Sequence, residues 1–82
     1  MMLYFAWVRE AIGADQETLT PPPTVETVAD LLDWLAARSP NPAAALADRT
    51  AIRVALDQDF AQADTPIGTA QEVAIFPPIT GG

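Results

Sequence analysis

The sequence predicts an α+β domain, a small mixed β-sheet with one main helix packed on one face. Three patterns point to it. Residues 2–8 and 72–76 are apolar runs near the two ends of the chain. Val28, Leu31, Leu32 and Leu35 recur at i, i+3, i+4 and i+7, which is one face of a helix. Ile52, Val54 and Leu56 alternate with Arg53, Ala55 and Asp57, as in a strand buried on one side. With 82 residues, 50% of them hydrophobic, the chain is long enough for one modest core and one domain.

The elements follow in order. In residues 2–8 both alternating sets are apolar, Leu3, Phe5 and Trp7 against Met2, Tyr4, Ala6 and Val8, so this segment is expected to be a central strand. Gly13-Ala14-Asp15 marks a turn, and residues 16–20 form a short edge strand in a hairpin with the first. Pro21-Pro22-Pro23 lacks N–H donors, ends the ladder and acts as a stiff connector. Thr27 caps the helix, and Asp30 three residues later completes a capping-box pattern. Trp34 lies off the apolar stripe, and Ser39-Pro40 ends the helix. Ala-rich residues 42–48 suit a second short helix that Pro42 can start. Residues 57–69 read as loop, with Phe60 standing alone in it, before the last strand. The first and last strands are the most apolar and are expected to pair in parallel at the sheet centre.

Composition removes whole classes of chemistry. The sequence holds no Cys, His or Lys, so disulfides, thiolates, imidazole bases and Schiff-base amines are absent. Ser39 is the only serine and has no histidine to activate it. No metal site is expected. The net charge of −7, eleven acids against four Arg, argues against nucleic acid and suits docking on basic protein surfaces. No apolar stretch approaches a membrane span, and no basic segment precedes residues 2–8, so a cytoplasmic location without membrane attachment is expected.

The chain closes with Phe76-Pro77-Pro78-Ile79-Thr80-Gly81-Gly82. The two prolines end the last strand, and Gly81-Gly82 lack Cβ atoms, so this stretch can enter a narrow channel and present a bare carboxylate. The expected organisation is a domain of residues 1–76 and a flexible tail of residues 77–82.

The element order with a terminal Gly-Gly resembles the ubiquitin-like β-grasp fold. The ending from Glu72 to Gly82, the run Leu3-Tyr4-Phe5-Ala6 with Val8-Arg9-Glu10 and Gly13, and Thr24-Val25 before the helix together resemble the small-subunit family of molybdopterin synthases. Two places depart from that family's pattern: Leu56-Asp57 stands for Val-Asn, and Ala70-Gln71 for Gly-Asp, with Gly68 expected to take the tight turn.

The resemblance implies a sulfur carrier, a non-catalytic sulfur-donating subunit whose reaction pocket lies in its partner. An adenylating, E1-like enzyme would activate the Gly82 carboxylate with ATP, and a sulfur donor would convert it to a thiocarboxylate. The tail would then enter the large synthase subunit, in a heterotetramer, and give sulfur to cyclic pyranopterin monophosphate during molybdenum cofactor synthesis. No cofactor would be bound by this chain. Gly82 is the implied reactive position and Gly81 lets the tail thread. Phe5, Phe60 and Phe76, with Pro77, Pro78, Ile79 and Thr80, are the implied partner-binding residues. Phe5 and Phe76 are open to two readings, interface or strand core, while loop-borne Phe60 favours the interface. Such a face can also pair with itself in the isolated chain. The alternatives are a thiamin-type sulfur carrier and a ubiquitin-like interaction module with an inert tail.

Overall fold

A computed structural model describes residues 1–38 and 40–78. The expectations placed on Ser39 and on Ile79, Thr80, Gly81 and Gly82 lie outside the described residues. Five strands form one mixed sheet: β1 (Met2–Tyr4), β2 (Gln16–Glu17), β3 (Arg53–Leu56), β4 (Asp59–Ala61) and β5 (Val73–Phe76). Their spatial order is β2-β1-β5-β3-β4. β5 is therefore central, parallel to β1 and antiparallel to β3, with Tyr4 opposite Ile75 and Val54 opposite Ile75 on its two sides. The expected parallel pairing of the first and last strands is present.

Three helices connect the strands: α1 (Ala6–Ile12), α2 (Val28–Ala36) and α3 (Pro40–Ala45). A 3₁₀ turn, Arg49–Ala51, leads into β3. Val28, Leu31, Leu32 and Leu35 of α2 are buried with Met2, Tyr4, Val54, Val73 and Ile75, so the helical stripe and one set of alternating strand residues make the core. Val8 of α1 and Leu46 after α3 are fully buried in the same core. All three helices thus pack on one side of the sheet.

The N-terminal apolar run divides where a single strand was expected. β1 ends at Tyr4, Phe5 is the N-cap of α1, and Trp7 and Val8 are helical. Ala6 takes φ 54°, a left-handed value that turns the chain sharply out of the strand. Beyond it, Val8 and Ile12 stand four apart and turn inward, while Ala, Arg and Glu favour helix between and around them. The helix stops at Gly13, whose φ of 91° admits the left-handed C-cap and whose N–H donates to the Arg9 carbonyl at 2.9 Å. The tightly joined hairpin is accordingly absent: β1 and β2 are antiparallel neighbours, but α1 links them, and β2 keeps two residues where five were expected.

α2 begins as its sequence indicates. The Thr27 hydroxyl accepts from the Asp30 N–H, and Asp30 Oδ2 accepts from the Glu26 and Thr27 N–H groups, each bond 3.2 Å. The next free N–H groups of the helix, on Val28 and Ala29, donate to the Thr65 and Ala63 carbonyls, which ties the helix start to the loop after β4. α3 starts at Pro40, two residues before the expected Pro42. Both prolines fall in its first turn, where N–H groups have no intrahelical partner to lose.

The expected loop of residues 57–69 contains β4. Asp57 and Gln58 have φ 48° and 74°, and Leu56 pairs with Asp59, so these two residues form a tight hairpin turn with both centres left-handed. Phe60 is therefore strand-borne and not loop-borne. Asp57 also acts across the sheet. Its Oδ1 accepts from the Gln71 and Glu72 N–H groups at 3.0 and 2.8 Å, and its own N–H donates to the Glu72 carbonyl at 2.8 Å. The two places that depart from the family pattern are in direct contact. Gly68 takes φ 52° in the turn closed by the Ala70 N–H and the Ile67 carbonyl.

At the β2 edge, buried Tyr4 donates its hydroxyl to Glu17 at 2.9 Å. Burial first, then that hydrogen bond and the Glu17 charge, push the phenol well above its ordinary value. Arg38 lies 3.9 Å from Glu17 and 5.4 Å above the partly exposed Trp34 ring.

Replacing Thr27 by Ala should cost about 1 kcal/mol in urea unfolding, from loss of the helix cap. The Glu26 and Thr27 N–H groups hold the Asp30 carboxyl below its ordinary 3.8. Its contribution is therefore fully present above pH 3.8 and is lost as pH falls through the lower folded value. Asp30→Asn should flatten acid unfolding in that window, read by circular dichroism. Asp57→Ala removes two backbone acceptor contacts and should cost about 1–2 kcal/mol, whereas Asp57→Asn keeps the acceptor and the left-handed tolerance and should cost less.

Candidate functional site

The second side of the sheet has no described helix on it. Strand alternation sends Met2, Tyr4, Val54, Val73 and Ile75 into the core, so Leu3, Ala55, Ala74 and Phe76 lie on the opposite side. Ala55 stands opposite Ala74 on β5 and opposite Phe60 on β4. Two small side chains thus form a floor between bulkier neighbours. Phe60 is 76% exposed, and its ring centroid is 5.9 Å from that of half-buried Phe76, inclined at 51°. Such a tilted pair is a favourable aromatic arrangement, and it leaves most of Phe60 in water.

Phe5 reaches the same end of the sheet from β1. Its N–H donates to the Ile75 carbonyl at 3.1 Å, continuing the parallel ladder by one residue, and its side chain is 48% exposed. Trp7, in the first turn of α1, is 41% exposed two residues later. Two exposed phenylalanines, Phe5 and Phe60, on the open face of an 82-residue chain are unusual for a face that meets only water. Of the two residues open to either reading, Phe5 is exposed, while Phe76 is half-buried with its ring against Phe60.

The tail leaves from this end. Phe76 is the last residue of β5, and Pro77 and Pro78 follow it, both partly exposed. On one side of that root lies Phe5, at the end of β1. On the other lies Arg53, directly opposite Phe76 in the β3–β5 register. The structure therefore brings Phe5, Phe60, Phe76, Pro77 and Pro78 to one side of the sheet and to the tail root. Ile79, Thr80, Gly81 and Gly82 fall beyond the described residues.

Sequence reading placed neither Arg53 beside Phe76 nor Trp7 in a helix. Trp7 was placed in a strand; the signal for its true setting was the Val8–Ile12 spacing followed by Gly13. Arg9, Arg38, Arg49 and Arg53 were open to pairing with a partner's acids or to solvated or intrachain pairing, because nothing in the sequence alone sets Arg53 beside Phe76. A cleft of about 520 Å³ lies elsewhere, at the start of β5, between Leu19, Pro22, Val25, Ile67 and Val73. It is lined chiefly by apolar and proline side chains. Among the described residues no cluster of His, Cys, Asp or Glu is arranged to hold a metal ion, and no helix is long and apolar enough to cross a membrane.

The geometry thus consists of an apolar platform and a chain end leaving beside it, with no assembled group of catalytic side chains among the described residues. Known proteins share both sequence and fold. The chain is 42% identical to the molybdopterin synthase sulfur carrier subunit of Escherichia coli (strain K12) over 82 residues, spanning 99% of this chain and 96% of that one. Its fold matches the crystal structure of SAMP1 from Haloferax volcanii with a TM-score of 0.72 at 27% identity, covering 99% of this chain and 96% of the other. The mixed five-stranded sheet with its helices is that ubiquitin-like β-grasp architecture, as the element order indicated. A model of the ThiS family matches residues 2–82, and the chain belongs to that family.

Proposed function

We propose that this chain is the sulfur carrier subunit of a molybdopterin synthase, with sulfur carried at the Gly82 carboxyl carbon. The observation that carries this reading is the gathering of Phe5, Phe60 and Phe76 on an open sheet face at the root of a tail whose sequence closes in Gly81-Gly82. Similarity over nearly the full length to a sulfur carrier of that synthase supports it.

The chemistry follows from what the chain lacks. A free carboxylate is a poor acyl donor, so activation comes first. On an adenylating enzyme, a Gly82 carboxylate oxygen attacks the α-phosphorus of ATP and displaces pyrophosphate. A sulfur nucleophile then adds to the acyl carbon of the adenylate and AMP leaves, which yields the thiocarboxylate. Gly81 and Gly82 carry no Cβ to obstruct entry into a buried pocket of the large subunit. There the thiocarboxylate sulfur bonds to a carbon of cyclic pyranopterin monophosphate, and water then cleaves the resulting thioester, which leaves the sulfur on the pterin and restores the Gly82 carboxylate. A dithiolene contains two sulfurs, so each product consumes two carrier equivalents, consistent with a heterotetramer of two carriers and two large subunits.

The sheet face supplies orientation. Phe60 and Phe5 dock on the large subunit, Phe76 backs Phe60, and Pro77 and Pro78 stiffen the exit, so the tail is aimed before it is threaded. Ile79 and Thr80 complete the set of residues assigned to partner binding. The same face is expected to meet the activating enzyme and to pair with itself in the isolated chain. The working compartment is the cytoplasm.

Protein isolated from cells should show, by intact mass, a population with one oxygen replaced by sulfur, and that species should disappear when Gly82 is deleted. Persistent absence of the species with an adenylating enzyme, ATP and a sulfur donor supplied would overturn the carrier reading. Transfer of the sulfur to a thiazole precursor in place of a pterin would move the chain to a thiamin-type route. Phe60→Arg should leave unfolding within about 1.5 kcal/mol of wild type, since only the aromatic pair is lost. The same change should weaken binding to the large subunit by about thirtyfold or more in calorimetric titration.

A further inference from the structure

Arg53 is a cation on the docking face, and its surroundings are specific. Arg53 opens β3 opposite Phe76, so its Cα stands about one strand spacing, roughly 5 Å, from the tail root. It is exposed, yet its Nη1 is held by two backbone carbonyls, Ile52 at 2.9 Å and Thr50 at 3.2 Å. Those bonds use one corner of the guanidinium. The Nε–Nη2 edge, two parallel N–H groups that match a carboxylate bidentately, has no partner among the described residues.

Of the other three arginines, Arg9 on α1 has no side-chain partner among the described residues, and two are paired within the chain. Arg49 pairs with Asp33 at 2.9 Å and Arg38 approaches Glu17 at 3.9 Å. With eleven acids for four arginines, an internal carboxylate for Arg53 would be easy to provide. None is placed there among the described residues. Beside Arg53 the surface dips into a hollow of about 320 Å³ lined by Arg53, Val54, Phe60 and Ala61. The hollow has apolar walls, an exposed aromatic ring on one side and a pre-set cation on the other. An acidic side chain reaching over the edge of the sheet would fit this chemistry, with its methylene groups against Phe60 and its carboxylate on Arg53.

We infer that Arg53 is an ionic anchor for the large subunit and receives an Asp or Glu side chain of that subunit in the hollow beside the tail root. The inference rests on the carrier reading above and adds to it the charge and position of a partner residue. Holding Nη1 on backbone carbonyls reduces the side-chain freedom that binding must freeze, so the pair forms at a low ordering cost. In a chain of net charge −7, the contact also gives the partner a local positive site beside the tail, which sets the register of docking as well as its strength.

Calorimetric titration of the chain with its own large subunit at low and high salt, using wild type, Arg53→Gln and Arg53→Lys, tests the inference. Arg53→Gln should bind about tenfold more weakly at low salt, with a shallower salt dependence. Arg53→Lys, which keeps the charge but not the fork, should fall between the two. Thiocarboxylation of Gly82 by the activating enzyme, measured in parallel, should fall by less than binding to the large subunit in both variants. Binding of Arg53→Gln within about twofold of wild type, with the same salt dependence, would overturn the inference and leave the carrier reading intact. So would a defect confined to thiocarboxylation, which would put the carboxylate on the activating enzyme. Failure of the wild-type chain to bind the large subunit would overturn both.

Discussion

The molecule depends on the placement of β5. This strand of four uncharged residues lies between β1 and β3, hydrogen-bonded on both edges. One of its faces, Val73 and Ile75, closes the core against α2. The other, Ala74 and Phe76, forms the middle of the open face. A strand so enclosed can move only if the whole sheet moves. Whatever emerges from its C-terminal end is therefore aimed by the most constrained backbone in the domain. The helices, the edge strands and the Asp57 clamp at Gln71 and Glu72 all serve to hold that strand in register.

Much of this was legible in the residues. The helical stripe and cap of α2 are strong local signals, and tertiary packing agrees with both. The pairing of the outermost apolar runs followed from their composition. What escaped were the places where local chemistry competes with an apolar pattern. In residues 2–8 alternation continued on paper past the point where Ala6 turns left-handed, because Ala is compatible with strand, helix and turn alike. β4 was hidden because its turn, Asp57-Gln58, carries no glycine to announce two left-handed residues, and Asp is stabilised there by contacts from a strand distant in sequence. The candidate site was legible as residue types and invisible as geometry. The three Phe could be named, but only the register shows that Phe60 and Phe76 share a face and that Arg53 flanks the tail root.

The division of labour with partners follows from the same features. The chain has no His, Cys or Lys, and its one serine has no histidine to activate it. It contributes an acyl position, a surface to recognise and a fixed spacing between them. Keeping the helices to one side leaves the other side free, so docking and tail insertion can proceed together.

The parallel pairing of β1 with β5 also has a mechanical consequence. A tail withdrawn from a tight pocket pulls on β5 along its own axis, toward its C-terminal end. Both flanking ladders are then loaded in shear, and their hydrogen bonds share the force at once. A tail attached to an edge strand would instead be peeled away one bond at a time. By hanging the tail from the centre of the sheet, the fold makes the domain a handle that can be drawn back repeatedly without being unravelled by its own cargo arm.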